Sequence, residues 1–257
     1  MNIAVITGAS SGLGKEFALT LDRGLMCVDE FWLIARRRDR LEELASRLDH
    51  AARILPLDLT LDEDRRSFDE LLHRERPVIR MLINCSGYGI MGHFSRLPLK
   101  EQSGMIELNC LALTELTYSC LPFMKKKSRI IQLASSAAFL PQPDFAVYAA
   151  SKSYVLSFSR ALREELRERQ IYVTAVCPGP VRTEFFDLAE RRGTTLAIKK
   201  YTMVEADRVV RDALRASARR KELSVCSLPI RAFRFLAAAV PHSVLLRIMR
   251  HLKTGTL

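Results

Sequence analysis

Short apolar runs rich in β-branched residues alternate along this chain with segments of helical period. Ile3-Ala4-Val5-Ile6 predicts a strand, followed by a glycine-rich turn and a helix over about Gly14 to Leu21. Phe31 to Ala35 predicts a second strand, and Leu41, Leu44, Ala45 and Leu48 share one face of a helix. Arg53 to Leu57 predicts a third strand, Asp62 to Glu75 a helix, and Val78 to Asn84 a fourth strand. Long helices are predicted over about Lys100 to Met124 and Val147 to Gln170, with a fifth strand over Arg129 to Ala134 between them. Tyr172 to Cys177 and Leu223 to Ser227 predict two further strands, separated by a helix over Glu205 to Arg219. Strands written as continuous apolar runs, alternating with helices, belong to a parallel sheet covered on both faces. The predicted fold is therefore α/β: a doubly wound, mostly parallel sheet of about seven strands with helices on both faces. No composition break divides the chain, so residues 1–257 read as a single domain. Ligands in such sheets sit beyond the carboxyl ends of the strands.

Composition narrows the class. With 48% hydrophobic and 27% charged residues, the chain can bury a core and is neither disordered nor collagen-like. No apolar run approaches the ~18 residues that a membrane-spanning helix needs. The opening Met1 to Ile6 has no basic leader region and reads as a strand rather than a signal peptide. Cys27, Cys85, Cys110, Cys120, Cys177 and Cys226 form no C-x-x-C pair and sit in apolar segments, which predicts buried thiols and a cytoplasmic location. The histidines show no ligand spacing, so no metal site is predicted.

The first strand runs into Thr7-Gly8-Ala9-Ser10-Ser11-Gly12-Leu13-Gly14. Glycines there permit a tight turn and close backbone approach to a pyrophosphate, and the following helix N-terminus offers free N–H groups. After the second strand comes Ala35-Arg36-Arg37-Arg38 rather than an acidic residue. An acid would favour NAD, whereas arginine's fork of donors suits the 2′-phosphate of NADP. Arg36 and Arg37 thus predict NADP(H), with NAD(H) as second choice. Tyr148 and Lys152 stand four apart on one helix face, where an ammonium can lower a phenol's pKa and make an acid/base pair. Ser135, thirteen residues before Tyr148, falls just past the fifth strand and can hydrogen-bond a carbonyl oxygen; Ser136 is its neighbour.

Jointly, these pieces resemble the short-chain dehydrogenase/reductase family across nearly the whole chain. The matching segments are the glycine turn, Asp58-Leu59-Thr60, Asn84-Cys85-Ser86-Gly87, Asn109, Ser135, Tyr148-Ala149-Ala150-Ser151-Lys152, and Pro178-Gly179-Pro180-Val181-Arg182-Thr183. The resemblance implies a Rossmann fold and interconversion of a carbonyl and an alcohol. It implies Tyr148 as general acid/base, Ser135 as the group that polarises the carbonyl, and Asn109 as a holder of a relay water. Lys152 would lower the Tyr148 pKa and bind the nicotinamide ribose. Gly8, Ser10, Ser11, Gly12, Leu13 and Gly14 would cradle the dinucleotide, Asp58 and Leu59 would meet the adenine, and Asn84 and Gly87 would line the path. Pro178, Gly179, Val181 and Thr183 would hold the nicotinamide end. The family often has Asn-Asn-Ala-Gly where this chain has Asn84-Cys85-Ser86-Gly87.

The loops after strands four, five and six carry Tyr88, Ile90, Met91, Phe94, Phe139, Leu140, Phe145, Phe185, Phe186 and Leu188, predicting a hydrophobic carbonyl or alcohol substrate, a steroid among the candidates. A non-catalytic dinucleotide sensor is the rival, disfavoured by the complete proton-transfer set. The net charge of +11 sits mostly at the end, where residues 199–257 hold 13 Lys+Arg against 4 acids. Residues 228–257 read as a basic amphipathic extension. Its Val244, Leu245, Ile248, Met249 and Leu252 face would pack on the domain or an oligomer mate, with an anionic membrane surface as the second reading. No nucleic-acid reader motif accompanies the charge.

Overall fold

A computed structural model describes residues 1–24, 28–191 and 203–254, with side chains as far as Arg250. Cys27, the part of the loop beyond Arg191 up to Tyr201, and the side chains of Leu252 and Lys253 lie outside the described residues.

The strands are β1 (Asn2–Thr7), β2 (Glu30–Ile34), β3 (Ala51–Leu55), β4 (Val78–Asn84), β5 (Met124–Leu133), β6 (Tyr172–Val176) and β7 (Leu223–Ser224). They form one sheet in the order β3-β2-β1-β4-β5-β6-β7, with every neighbouring pair parallel. Alternation along a strand sends successive side chains to opposite faces. Ala4 and Ile6 therefore join Phe17 and Leu21 of α1 (Gly12–Asp22), Leu41 and Leu44 of α2 (Arg38–Ala45), and Val209, Val210 and Ala213 of a later helix, Ala206–Ala218. Ile3 and Val5 join Phe68, Leu71 and Leu72 of α3 (Asp62–Glu75) on the other face. Beyond β4 come α4 (Leu99–Ile106) and α5 (Leu113–Cys120), and beyond β5 comes α6 (Ala146–Glu165). After β6 stand α7 (Phe185–Ala189), α8 (the Ala206–Ala218 helix), α9 (Leu228–Ala239) and α10 (His242–Thr254).

The chain leaves β1 toward β2 and β3, then returns to β4 on β1's other side. The loops after β1 and β4 therefore part, and a crevice opens at this switch point. The Thr7 hydroxyl pins its base, accepting hydrogen bonds from the backbone N–H groups of Cys85 and Ser86, both at 3.0 Å.

Several boundaries differ from the sequence pattern. The single helix predicted over Lys100 to Met124 is α4, a π-helical turn over Glu107–Ala112, α5 and a 3₁₀ turn, with Met124 already in β5. β3 lies two residues earlier than predicted and ends before Pro56, which cannot donate to a ladder. β7 keeps only two residues, and Leu228–Ala239, not predicted as a helix, forms one with Pro229 in its first turn, where the missing N–H costs nothing.

Candidate active site

The glycine turn is built for a backbone-only approach. Gly8 and Gly12 have φ of +66° and +54°, conformations costly for other residues. A Cβ on Gly14 would stand 2.3 Å from the Gly8 carbonyl oxygen, so no side chain fits there. Helix α1 starts with no side-chain cap, leaving its first-turn N–H groups aimed past Ser11 into the crevice mouth. Thr183 lies across the turn, its methyl 3.4 Å from where a Gly12 Cβ would be. These features fit a pyrophosphate. The cleft they open has a volume of about 2030 Å³ and runs from the Gly8–Gly14 turn past Ser135, Tyr148 and Lys152 to an apolar end.

The chemical groups meet at the β5 and α6 end. Ser135, just past β5, caps a 3₁₀ turn by accepting from the Ala137 N–H at 3.1 Å. Its hydroxyl also lies near enough to the Tyr148 phenol to favour the charged form. Tyr148 is 6% exposed and stacks on Phe145 at 4.2 Å, with Phe185 on its other side at 5.5 Å. Burial pushes its phenol up to about 12, against the pull of Ser135. Lys152, one turn on, donates to the Leu133 carbonyl at 2.7 Å, with its Nζ 5.8 Å from the Tyr148 ring centre. Burial lowers its ammonium to about 8. Burial penalises both charged forms, raising the phenol and lowering the ammonium, and Ser135 opposes the first of these shifts.

On the arginine side, Arg36 points outward, its side chain 73% exposed and 3.9 Å from Asp58. Asp58 in turn accepts from the Thr60 N–H and hydroxyl. Arg37 donates to Ser10 Oγ and, through two nitrogens at 3.1 Å, to Glu184. Arg40, one turn along α2, donates to the other Glu184 oxygen at 3.0 Å. Partial burial raises the Glu184 carboxyl, but the two arginines outweigh it and hold the group below the usual carboxylate range. An anion thus already lies between two guanidiniums beside the glycine turn, a donor set suited to a phosphate.

The family model described as short chain dehydrogenase matches residues 2–192. The chain belongs to the short-chain dehydrogenase family. It is an oxidoreductase, and some of the solved structures it resembles hold a nicotinamide dinucleotide. A short-chain dehydrogenase from Sphingobium yanoikuyae in complex with NADPH superposes with a TM-score of 0.79 at 30% identity, covering 100% of this chain and 96% of that one. A bulky-bulky ketone specific alcohol dehydrogenase from Comamonas testosteroni superposes with a TM-score of 0.74 at 25% identity, covering 100% and 95%. Human 17-beta-hydroxysteroid dehydrogenase type 3 is 32% identical over 190 residues, which are 70% of this chain and 59% of that protein.

In this short-chain dehydrogenase, two of the expected site residues lie outside the cleft. Asn84 is 2% exposed and turns into the sheet, donating to Thr117 Oγ1 and Gln132 Oε1 at 3.0 Å each. Asn109 sits on the π-helical turn, fully buried, where its amide takes the Tyr88 N–H, donates to the Tyr88 carbonyl and donates to Ser151 Oγ. The Asn109 side chain thus holds the Gly87–Tyr88 loop. A Cβ on Gly87 would meet Asn109 Oδ1 at 2.8 Å and Lys152 Nζ at 3.2 Å, so that loop lies directly on both. The other expected residues line the cleft, from Gly8 and Ser10 through Leu59 to Pro178, Gly179, Val181 and Thr183.

Of the expected apolar walls, Phe94 is 61% exposed and Phe139 packs among core residues of α6 and α9. The sequence reading missed Arg40 and Glu184, and also the wall built by Ile230, Phe233, Leu245 and Met249. Arg40 was findable, three residues after Arg37 on one helix face. Glu184 was not, being 147 residues from Arg37.

Proposed function

We propose that this enzyme is an NADP(H)-dependent oxidoreductase that interconverts a hydrophobic ketone or aldehyde with its alcohol. The observation that carries the reading is one corner of the cleft where Ser135, Tyr148 and Lys152 meet, with apolar walls beyond it. The dinucleotide would be held by the glycine turn, Thr183 and the Arg37–Arg40 pair, and supplies the hydride donor or acceptor. Tyr148, still a phenol at neutral pH, is set as the acid that protonates the carbonyl oxygen, and as the base in the reverse direction. Ser135 Oγ hydrogen-bonds that same oxygen and stabilises its developing charge. Lys152 keeps an ammonium beside the phenol below about pH 8. Phe145 and Phe185 hold the phenol in place and exclude water.

A narrower reading, a hydroxysteroid as substrate, draws on the name of the human relative and on the apolar residues at the far end of the cleft. Nicotinamide absorbance against a panel of apolar ketones, aldehydes, secondary alcohols and hydroxysteroids tests both. NADPH should exceed NADH in kcat/KM by about tenfold or more, because charge-assisted bonds to the 2′-phosphate are absent with NADH. Equal efficiencies would sink the NADP assignment. No turnover of any apolar carbonyl or alcohol would sink the substrate class.

Glu184 yields a second, residue-level expectation. Its carboxylate competes with the 2′-phosphate for Arg37 and Arg40. Glu184→Gln should tighten NADPH about threefold to fivefold, the scale of a partly exposed ion pair, and leave NADH affinity unchanged. Fluorescence titration of both dinucleotides checks this, and an equal change for both would remove Glu184 from cofactor choice.

A further inference from the structure

Helices α9 and α10 each present two apolar faces. The inward one closes the far end of the cleft with Ile230, Phe233, Leu245 and Met249. The outward one follows helical spacing along α9 through Leu228, Ala232, Phe235 and Ala239, all exposed. Leu228 is 77% and Phe235 70% exposed, and α10 adds Val244 at 45%. Neither the core nor the cleft uses Leu228, Phe235 or Val244. Between the two faces, Leu236 and Ile248 both line the cleft and stand about half exposed, at 49% and 51%.

The charge on these two helices has one sign. No acidic residue follows Glu222, whereas Arg231, Arg234, Arg247 and Arg250 are interleaved with the apolar positions. A second copy of the chain would bring the same cations against them, and like charges across an interface cost affinity and specificity. An anionic lipid surface supplies both a counter-charge and an apolar phase. Length decides between spanning and lying flat. The helices have 12 and 13 residues and bend by 120° at their junction. Each is about 20 Å long, short of the roughly 30 Å hydrocarbon core. We propose that α9 and α10 dock this dehydrogenase on the surface of an anionic membrane, with the half-exposed rim at the far end of the cleft, Leu236 and Ile248, held against the lipid. An apolar substrate then passes from the bilayer to Tyr148 without crossing water, a consequence that rests on the substrate class proposed above.

Vesicle flotation of the full chain tests the docking. Wild type should rise with vesicles of phosphatidylcholine and phosphatidylglycerol, stay behind with phosphatidylcholine alone, and detach as salt increases. The triple substitution Leu228→Gln, Phe235→Gln and Val244→Gln should lower the vesicle-bound fraction about tenfold or more. Its thermal midpoint should match wild type, because these side chains are exposed and outside the cleft. Wild type that stays behind with anionic vesicles overturns the proposal, as does a triple variant that floats equally. A wild-type dimer in light scattering that the triple variant splits assigns the face to a second copy and also overturns it. Flotation as described, together with a substrate panel that turns over only polar compounds, supports the docking and overturns the substrate class instead.

Discussion

Replacing Tyr148 by Phe is expected to lower turnover by about 10²- to 10⁴-fold, the range that a positioned general acid or base supplies. Dinucleotide affinity should stay within about twofold, since the change removes one oxygen and no cofactor-holding backbone. The environment makes this a clean test. The ring is held by Phe145 at 4.2 Å and Phe185 at 5.5 Å, contacts that a phenylalanine keeps. The group lost is the hydroxyl beside Ser135. Stability should move by about 1 kcal/mol or less, the size of one ordinary hydrogen bond. Steady-state kinetics beside a fluorescence titration of NADPH separates the two effects. Wild-type turnover in the variant would remove Tyr148 from the proton transfer.

Lys152→Met should be the other large change, and it should split function from stability. Activity falls because no ammonium then stands beside the phenol. Stability rises because a buried charge is replaced by an apolar side chain of similar length. The sign follows from the proton balance. The folded pKa of Lys152 is lowered from 10.5 to about 8, so between those values the unfolded chain binds more protons than the folded one. Wild-type stability therefore increases as pH rises from about 8 toward 10.5, and the lysine costs most below about 8. That cost is at most about 3 kcal/mol, and the lost bond to the Leu133 carbonyl returns about 1, leaving a net gain of roughly 1–2 kcal/mol near neutral pH. Thermal midpoints of wild type and variant should differ by a few degrees at neutral pH and converge on going alkaline. A variant less stable than wild type at neutral pH contradicts the burial argument. In wild type, kcat/KM for carbonyl reduction should decline as pH rises and the Lys152 ammonium is lost.

Elements whose hydrophobic period was unbroken were legible from the sequence. Asp62–Glu75 and Val78–Asn84 have the predicted bounds. The long helix after β4 was not, because a π-turn inserts a residue without disturbing the apolar pattern on either side. That turn carries Asn109, so the same local event that escaped the pattern decides where its side chain points. Asn84 shows a related limit. Its position after β4 follows from the strand pattern, but its direction depends on Thr117 and Gln132, polar partners supplied by two other elements.

What the sequence alone determined was the set of parts: a parallel α/β sheet, a turn that tolerates only glycine at key points, and serine, tyrosine and lysine at spacings that place them on one sheet edge. These follow from backbone sterics and side-chain period, which are local properties. Only the tertiary structure decided how the parts act on one another. It buried Tyr148 and Lys152 together, which raised one pKa and lowered the other. Across 147 residues of chain it also brought Glu184 against Arg37 and Arg40. And it turned one apolar face of α9 and α10 into the cleft while leaving the other open. Burial, charge pairing and the choice between two apolar faces depend on distances between distant segments, and no local pattern contains those distances.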